Sequence, residues 1–224
     1  LGGKLIVVSG TGTEIGKTHF SVALLRALRR LGARVSGVKP IETGLSQTGP
    51  SDAQRLDRES SFHVKRSWYG YSDPVSPHIA ARETGRPIRI DTLAQDLEAL
   101  RSDVDILLVE LAGGLFSPLS EVSVNAHLAR SLRPDALLLV ASDRLGVLHE
   151  VLSTLLAAST IPVAVSAVAL MAPERPDSST GRNASELTRL VTLSSVTTFP
   201  RAPPEELAVL PSTVGLATRL ARGT

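Results

Sequence analysis

The stretch that most constrains this chain runs from Ile6 to Phe20, IVVSGTGTEIGKTHF. An apolar β-type run, Leu5 to Val8, stops at Gly10. Small residues and Glu14 follow, then Gly16-Lys17-Thr18, and a helical pattern begins at once. A strand that delivers a glycine-containing loop onto a helix N-terminus makes a phosphate cradle. Loop N–H groups and the positive end of the helix dipole converge on one anion. In such a cradle the lysine reaches the outer phosphates and the following hydroxyl ligates Mg²⁺, roles that fall here to Lys17 and Thr18. The spacing is G-x5-G-K-T, one residue longer than the common form of this loop. A glycine-rich turn with a surface lysine is the plain alternative.

Composition narrows the remaining choices. A chain of 224 residues, 42% hydrophobic and 21% charged, is expected to bury one continuous core as a single domain over residues 1–224. A formal net charge of +2 without a basic block argues against nucleic-acid binding. Cysteine is absent, which excludes a disulfide framework and thiolate metal sites. No apolar run reaches the ~18 residues of a membrane span, and the first apolar run is too short for a signal peptide. The expectation is a cytoplasmic protein that does not engage membranes.

Helical periodicity continues from Lys17 to Leu31, with Gly32 placed as a C-terminal cap, and Ala33 to Val38 reads as the next strand. Lys39-Pro40-Ile41-Glu42-Thr43-Gly44 leaves its carboxyl end, the edge where ligands gather in open parallel sheets. A lysine closing an exposed strand is equally compatible with this pattern. The segment from Ser46 to Ser51 reads as loop, and Ser51 as the N-cap of a helix opening at Asp52. The Asp52 carboxylate can serve the helix dipole or a metal, and spacing alone does not decide. Residues 61–75 read as a polar, proline-interrupted segment. Ser76-Pro77-His78 launches a helix through Glu83, and Asp91 to Arg101 is another.

Ile106 to Glu110 is apolar until its last residue, and Gly113-Gly114 follow. A carboxylate ending a buried strand needs a partner, and a strand-end acid at this edge suits Mg²⁺. Further strands are expected at Ala136 to Ala141, Pro162 to Leu170 and Val196 to Phe199. Helices are expected at Val147 to Ala158, Asn183 to Leu193 and Val214 to Arg222. Asp143-Arg144-Leu145-Gly146 precedes the first of these and forms a second helix start suited to anions. Residues 173–182 read as a flexible polar loop and Arg201 to Glu206 as a proline-rich connection. Alternating strands and helices predict an α/β domain with a largely parallel sheet.

Six motifs in order then match a known family. Gly10-Thr11-Gly12-Thr13-Glu14-Ile15-Gly16-Lys17-Thr18, Lys39-Pro40-Ile41-Glu42-Thr43-Gly44, Ser51-Asp52, Ser76-Pro77-His78, Val109-Glu110-Leu111-Ala112-Gly113-Gly114 and Leu145-Gly146 together resemble dethiobiotin synthetases. The resemblance implies a single-domain P-loop NTPase fold, α/β with a largely parallel sheet flanked by helices. It implies ATP-dependent closure of the ureido ring from 7,8-diaminopelargonate and CO₂, through a carbamic–phosphoric anhydride. By the same resemblance, Gly12, Thr13, Glu14, Ile15, Gly16, Lys17 and Thr18 hold the nucleotide. Thr18, Asp52 and Glu110 set Mg²⁺. Lys17, Lys39, Glu14 and Thr43 act in catalysis. Thr13, Lys39, Thr43, Gly113 and Gly114 meet the substrate. A homodimer is implied, with Leu145 and Gly146 of the neighbouring chain facing the substrate carboxylate.

The chain departs from the family pattern at three places. Gly12 replaces an Asp, Leu111 replaces the first glycine after the acid, and Leu170 stands where an Asn reads the adenine edge. A side chain at Leu111 is expected to narrow the substrate loop. Leu170 cannot form paired hydrogen bonds to a base, so a flat base preference is expected. Two other readings remain. One is a partitioning-type P-loop switch ATPase, although the extra early lysine of that class is missing between Thr11 and Thr13. The other is a catalytically silent regulatory relative.

Overall fold

A computed structural model describes residues 2–45, 49–64 and 67–222. Parts of two expected loops, 46–48 and 65–66, lie outside the described residues. The first third of the chain holds β1 (Lys4–Gly10), α1 (Lys17–Arg30), β2 (Val35–Val38), β3 (Ile41–Glu42), α2 (Asp52–Arg58) and β4 (Tyr69–Gly70). The middle holds α3 (Pro77–Glu83), α4 (Ile90–Arg101), β5 (Ile106–Glu110), α5 (Asn125–Leu132), β6 (Ala136–Ser142) and α6 (Val147–Ala158). The rest holds β7 (Ala167–Met171), α7 (Asn183–Leu190), β8 (Ser195–Phe199), α8 (Pro204–Leu207) and α9 (Pro211–Arg222).

Six strands form one sheet in the order β2-β5-β1-β6-β7-β8, and every pairing in it is parallel. The strands are apolar on both faces because helices cover both. On one face Ile6, Val8, Leu108, Leu138, Val140 and Met171 pack with the buried side of α1 and with residues of α8 and α9. On the other, Leu5, Val7, Leu107 and Val109 meet α3, α4 and α5. Leu139, Ala141, Val168 and Leu170 continue that second face onto α6 and α7. With β1 between β5 and β6, the loop after β1 opens at the centre of the carboxyl edge.

Five local expectations change. The strand foreseen from Pro162 begins only at Ala167, and Ser166 supplies the last contact before it, donating its amide to the Leu137 carbonyl. Proline has no amide to give a ladder, which makes the stretch around Pro162 a poor strand start. The helix foreseen to Leu193 ends at Leu190. Helix α5 lies where no element was expected, and the proline-rich connection contains α8, started by Pro203 and Pro204. Residues 173–182 are tied down rather than loose. The Thr180 hydroxyl donates to the Asp143 carbonyl, and the Asp143 carboxylate accepts from the Gly181 amide and the Asn183 side chain at 2.8 and 2.7 Å.

Candidate functional site

The long loop turns through Glu14 at φ 55° and Gly16 at φ 93°, which aims the first turn of α1 at the cleft. Glu14 is a non-glycine residue in the left-handed region, a conformation found preferentially where a loop serves a site. A Cβ on Gly10 would come 2.5 Å from Ile15 Cδ1 and 3.1 Å from Lys17 Cδ, so any side chain there would displace Ile15. Ile15 itself packs into the core beside α1, so its side chain anchors the loop. Lys17 folds back and donates to the Gly12 carbonyl at 2.6 Å. A Cβ on Gly12 would meet nothing within 4 Å, so its missing side chain reflects no crowding.

Four charged groups converge beside this loop. Glu110, fully buried at the end of β5, accepts from Thr18 Oγ1 at 2.7 Å and from Ser21 Oγ at 2.7 Å. Lys39 Nζ lies 2.6 Å from Asp52 Oδ2 and 3.0 Å from Glu110 Oε1. Burial alone would lower the Lys39 pKa, but the charges and hydrogen bonds of Glu110 and Asp52 outweigh it and the pKa rises. Asp52 shows the counterpart: burial works against its charge, yet Lys39 holds it below the usual carboxylate range. Lys17 has no such close acid, and burial brings it down to about 8 against the pull of Glu110. An ammonium so placed loses little by transferring its hydrogen bonds to an incoming anion.

Thr18, Asp52 and Glu110 present oxygen donors only, two carboxylates and a hydroxyl. This set fits Mg²⁺, which takes one or two protein carboxylates and completes its shell with water and phosphate. A cleft of about 620 Å³ spans the loop, Thr18 and Asp52, with Thr13, Glu14, Thr43 and Gly113 on its wall. A neighbouring cleft of about 720 Å³ shares Glu14, Gly16 and His19 and continues between Met171, Pro173, Pro200, Arg201 and Pro203.

Leu170, Leu111 and Gly114 lie outside the lining of both clefts. Leu170 is fully buried among Leu139, Val147, Val151 and Leu187, on the sheet face away from α1. The residue at the cleft is Met171, whose Cγ stands 3.2 Å from where a Cβ on Gly16 would be. Alternate strand residues face opposite sides, so a one-residue offset exchanges core for site. Leu111 follows the same rule: opposite in facing to Glu110, it packs with the core under α3 to α5 and narrows nothing. Gly114 gives its amide to Ser117 Oγ at 2.9 Å, and a Cβ on it would meet the Gly10 and Thr11 carbonyl oxygens at 3.3 Å. It spaces two loops and does not line the cleft.

Leu145 and Gly146 start α6 away from the cleft. Leu145 is 77% exposed, and its amide donates to Asp177 Oδ2 at 2.8 Å. Residue patterns missed two supports. Ser21 lies one helical turn beyond Thr18 on the same face, which was a readable signal. Asn125 is buried and donates to the Ala112 and Gly114 carbonyls at 2.6 and 2.9 Å, holding the loop after β5. Nothing in the sequence around it marks this.

A central parallel strand, a glycine-started helix with Lys17 and Thr18 at its head, and a strand-end acid on the adjacent strand define a P-loop nucleotide-binding protein. Solved structures agree on the fold. Pyrococcus furiosus cell division ATPase MinD superposes with TM-score 0.58 at 18% identity, covering 98% of this chain and 97% of that one. A ParA family ATPase from Chlorobium tepidum gives 0.56 at 12% identity, covering 99% and 97%. A family model described as an AAA domain matches residues 4–207.

Sequence relatives are narrower. The ATP-dependent dethiobiotin synthetase BioD of Geobacillus kaustophilus is 37% identical over 157 residues, 68% of this chain and 66% of that protein. BioD 1 of Escherichia coli K12 is 37% identical over 159 residues, 67% and 70% of the two chains. BioD of Caulobacter sp. K31 is 37% identical over 174 residues, 74% of each. The chain belongs to the dethiobiotin synthetase family.

Proposed function

We propose that this protein, acting as one P-loop domain, closes the ureido ring of dethiobiotin from 7,8-diaminopelargonate, CO₂ and a nucleoside triphosphate. The observation that carries the reading is the Lys39–Asp52–Glu110 cluster beside Lys17, in a family member. Two largely buried ammonium groups on one cleft suit a reaction between anions, and the second is supplied here by Lys39 at a strand end instead of by the early loop lysine of a switch ATPase. In the proposed sequence one amine nitrogen bonds to the carbon of CO₂. The carbamate oxygen then attacks the γ-phosphorus as the nucleoside diphosphate leaves. The second amine attacks the carbamoyl carbon and expels phosphate.

Lys17 leaves the Gly12 carbonyl for the transferring phosphoryl group, and Lys39 opposes the carbamate charge. Both act electrostatically on charge that develops in the transition state. Thr18, Asp52 and Glu110 would hold Mg²⁺, which when bound neutralises the phosphate oxygens. Thr13 and Glu14 lie on the cleft wall beside the loop, and Thr43 can donate to the carbamate. Thr43 and Gly113, both on that wall, support substrate placement there. The second cleft supports a base subsite with Met171 in place of a base reader, and a flat preference among nucleotides.

We propose a homodimer as well. Leu145 and Leu156, 77% and 74% exposed at the start and end of α6, favour a second copy against this helix. A substrate carboxylate reaching Leu145 and Gly146 across such an interface has to compete with Asp177 for the Leu145 amide. No helix among the described residues is long and apolar enough to cross a membrane. The test is phosphate release with and without each co-substrate. Release is expected only with diaminopelargonate and bicarbonate together. Release indifferent to the diamine rejects the reading.

A further inference from the structure

Glu42 ends β3, between Ile41 in the core and Thr43 on the cleft wall. Its carboxylate reaches across to the first turn of α2. Oε1 accepts the Asp52 amide at 2.7 Å and Oε2 accepts the Ala53 amide at 3.2 Å. Amides of a first helical turn have no partner within the helix. Ser51 answers a different one: its hydroxyl accepts from the Gln54 amide at 3.2 Å, while Gln54 Oε1 accepts from the Ser51 amide at 2.9 Å. Ser51 therefore sets where α2 begins. Glu42 sets how that beginning sits against the strand that leads away from Lys39.

The residue whose amide Glu42 grips is Asp52, and Asp52 is the only one of the three proposed cation ligands carried by α2. Its side chain is 32% exposed and meets Lys39 at 2.6 Å. The other carboxylate, Glu110, is fixed by burial and by Thr18 and Ser21. Asp52 lacks that enclosure: beyond Lys39 it has Thr18 and, at 3.9 Å, the half-exposed Arg55, so its aim depends also on the backbone below it. Removing a partner that orients a metal ligand typically costs about 10- to 100-fold in metal affinity.

We infer that Glu42 is a positioning residue that orients Asp52 toward the cation and Lys39 by clamping the Asp52 and Ala53 amides. The inference rests on the proposed role of Asp52 as a cation ligand. It assigns a task to the fourth residue of the Lys39–Gly44 motif, which lines the same cleft.

The measurement is Mn²⁺ binding to the protein–ATP complex, followed by the electron paramagnetic resonance signal of free Mn²⁺ with the diamine omitted. Glu42→Ala is expected to weaken Mn²⁺ binding by about tenfold, at the low end of losses for outer-shell partners. Glu42→Gln, which keeps one acceptor, is expected to recover part of that loss, and it serves alone if Glu42→Ala does not fold. Ser51→Ala, which also uncaps α2 but spares the Asp52 amide, is expected to lower Tm and leave Mn²⁺ affinity as it was. Wild-type Mn²⁺ affinity in both Glu42 variants overturns the inference, as does an equal loss in Ser51→Ala. Asp52→Asn separates the two levels. If it too binds Mn²⁺ normally, the ligand role of Asp52 falls and the inference with it. If it binds poorly while the Glu42 variants do not, only the inference falls.

Discussion

Helices α1 and α6 begin alike and end up in opposite surroundings. Each leaves the carboxyl edge of the sheet through a left-handed glycine, Gly16 at φ 93° and Gly146 at φ 96°, and neither has a side-chain cap. At α1 the next residues are Lys17 and Thr18, and a cleft opens onto Lys39 and Asp52, with the buried Glu110 paired to Lys39 behind them. At α6 the Asp177 carboxylate already takes the Leu145 amide, and Arg144 is paired with Glu150 at 2.6 Å. The backbone device is shared, and the charges around it decide what it can bind. A hydrogen bond joins the loop before α1 to α6, Thr11 Oγ1 donating to Glu150 Oε2 at 3.2 Å.

The largest test of this contrast compares the acids. Glu110→Ala leaves Lys39 with Asp52 alone and takes the acceptor from Thr18 and Ser21, and is expected to cost about 3 kcal/mol, the low end for breaking a buried ion pair. Glu150→Ala breaks a half-exposed pair and is expected to cost under about 1 kcal/mol. Urea unfolding of both variants measures the gap, and equal losses would erase the distinction. Next comes chemistry. Lys17→Gln is expected to slow phosphate release on the order of 10²- to 10³-fold, the range for removing one donor to developing charge. Turnover unchanged in that variant would remove α1 from the active centre.

The glycines come third. Alanine at either position has to hold a left-handed conformation, at about 1–2 kcal/mol. Gly16→Ala also presses on Met171 Cβ and Cγ, while Gly146→Ala has its nearest neighbour, Arg144 Nη1, at 3.7 Å. Thermal melts are expected to show the larger loss for Gly16→Ala. Smallest is the acid response of α6. The Ser179 hydroxyl, then the Leu145 and Ser179 amides, bring Asp177 down to about 2 from 3.8. A carboxylate depressed by folding stabilises above its unfolded pKa and loses that contribution as pH falls through its folded one. Acid melts of wild type are expected to steepen between pH 4 and 2, and Asp177→Asn to flatten that part of the curve.

The contrast also explains what the sequence could disclose. The switch from a β-type run to helical spacing around Gly10 to Thr18 is local, and so β1, the loop and α1 were legible. The end of β5 was equally plain, since an acid closing a run of four apolar residues has to meet a charged or hydrogen-bonding partner there. Leu170 was misplaced because a strand motif read as a string carries no facing, and one residue separates the two sides of a sheet. Glu42 and Asn125 act on amides and carbonyls far along the chain, where neither spacing nor residue type announces a partner. Asp177 was hidden for the same reason, inside a polar stretch whose composition read as loose.

The register of the sheet has a bearing on how the molecule is made. Lys4 pairs with Ile106, and Ile6 with Ala136, so the first strand finds both its neighbours only after more than half the chain exists. At ribosomal speeds of roughly 5–20 residues per second, an apolar strand and its glycine loop wait for several seconds without a sheet. Non-local parallel pairings of this kind also close slowly once they are available. Nucleotide competence is therefore expected only after β6 has been made.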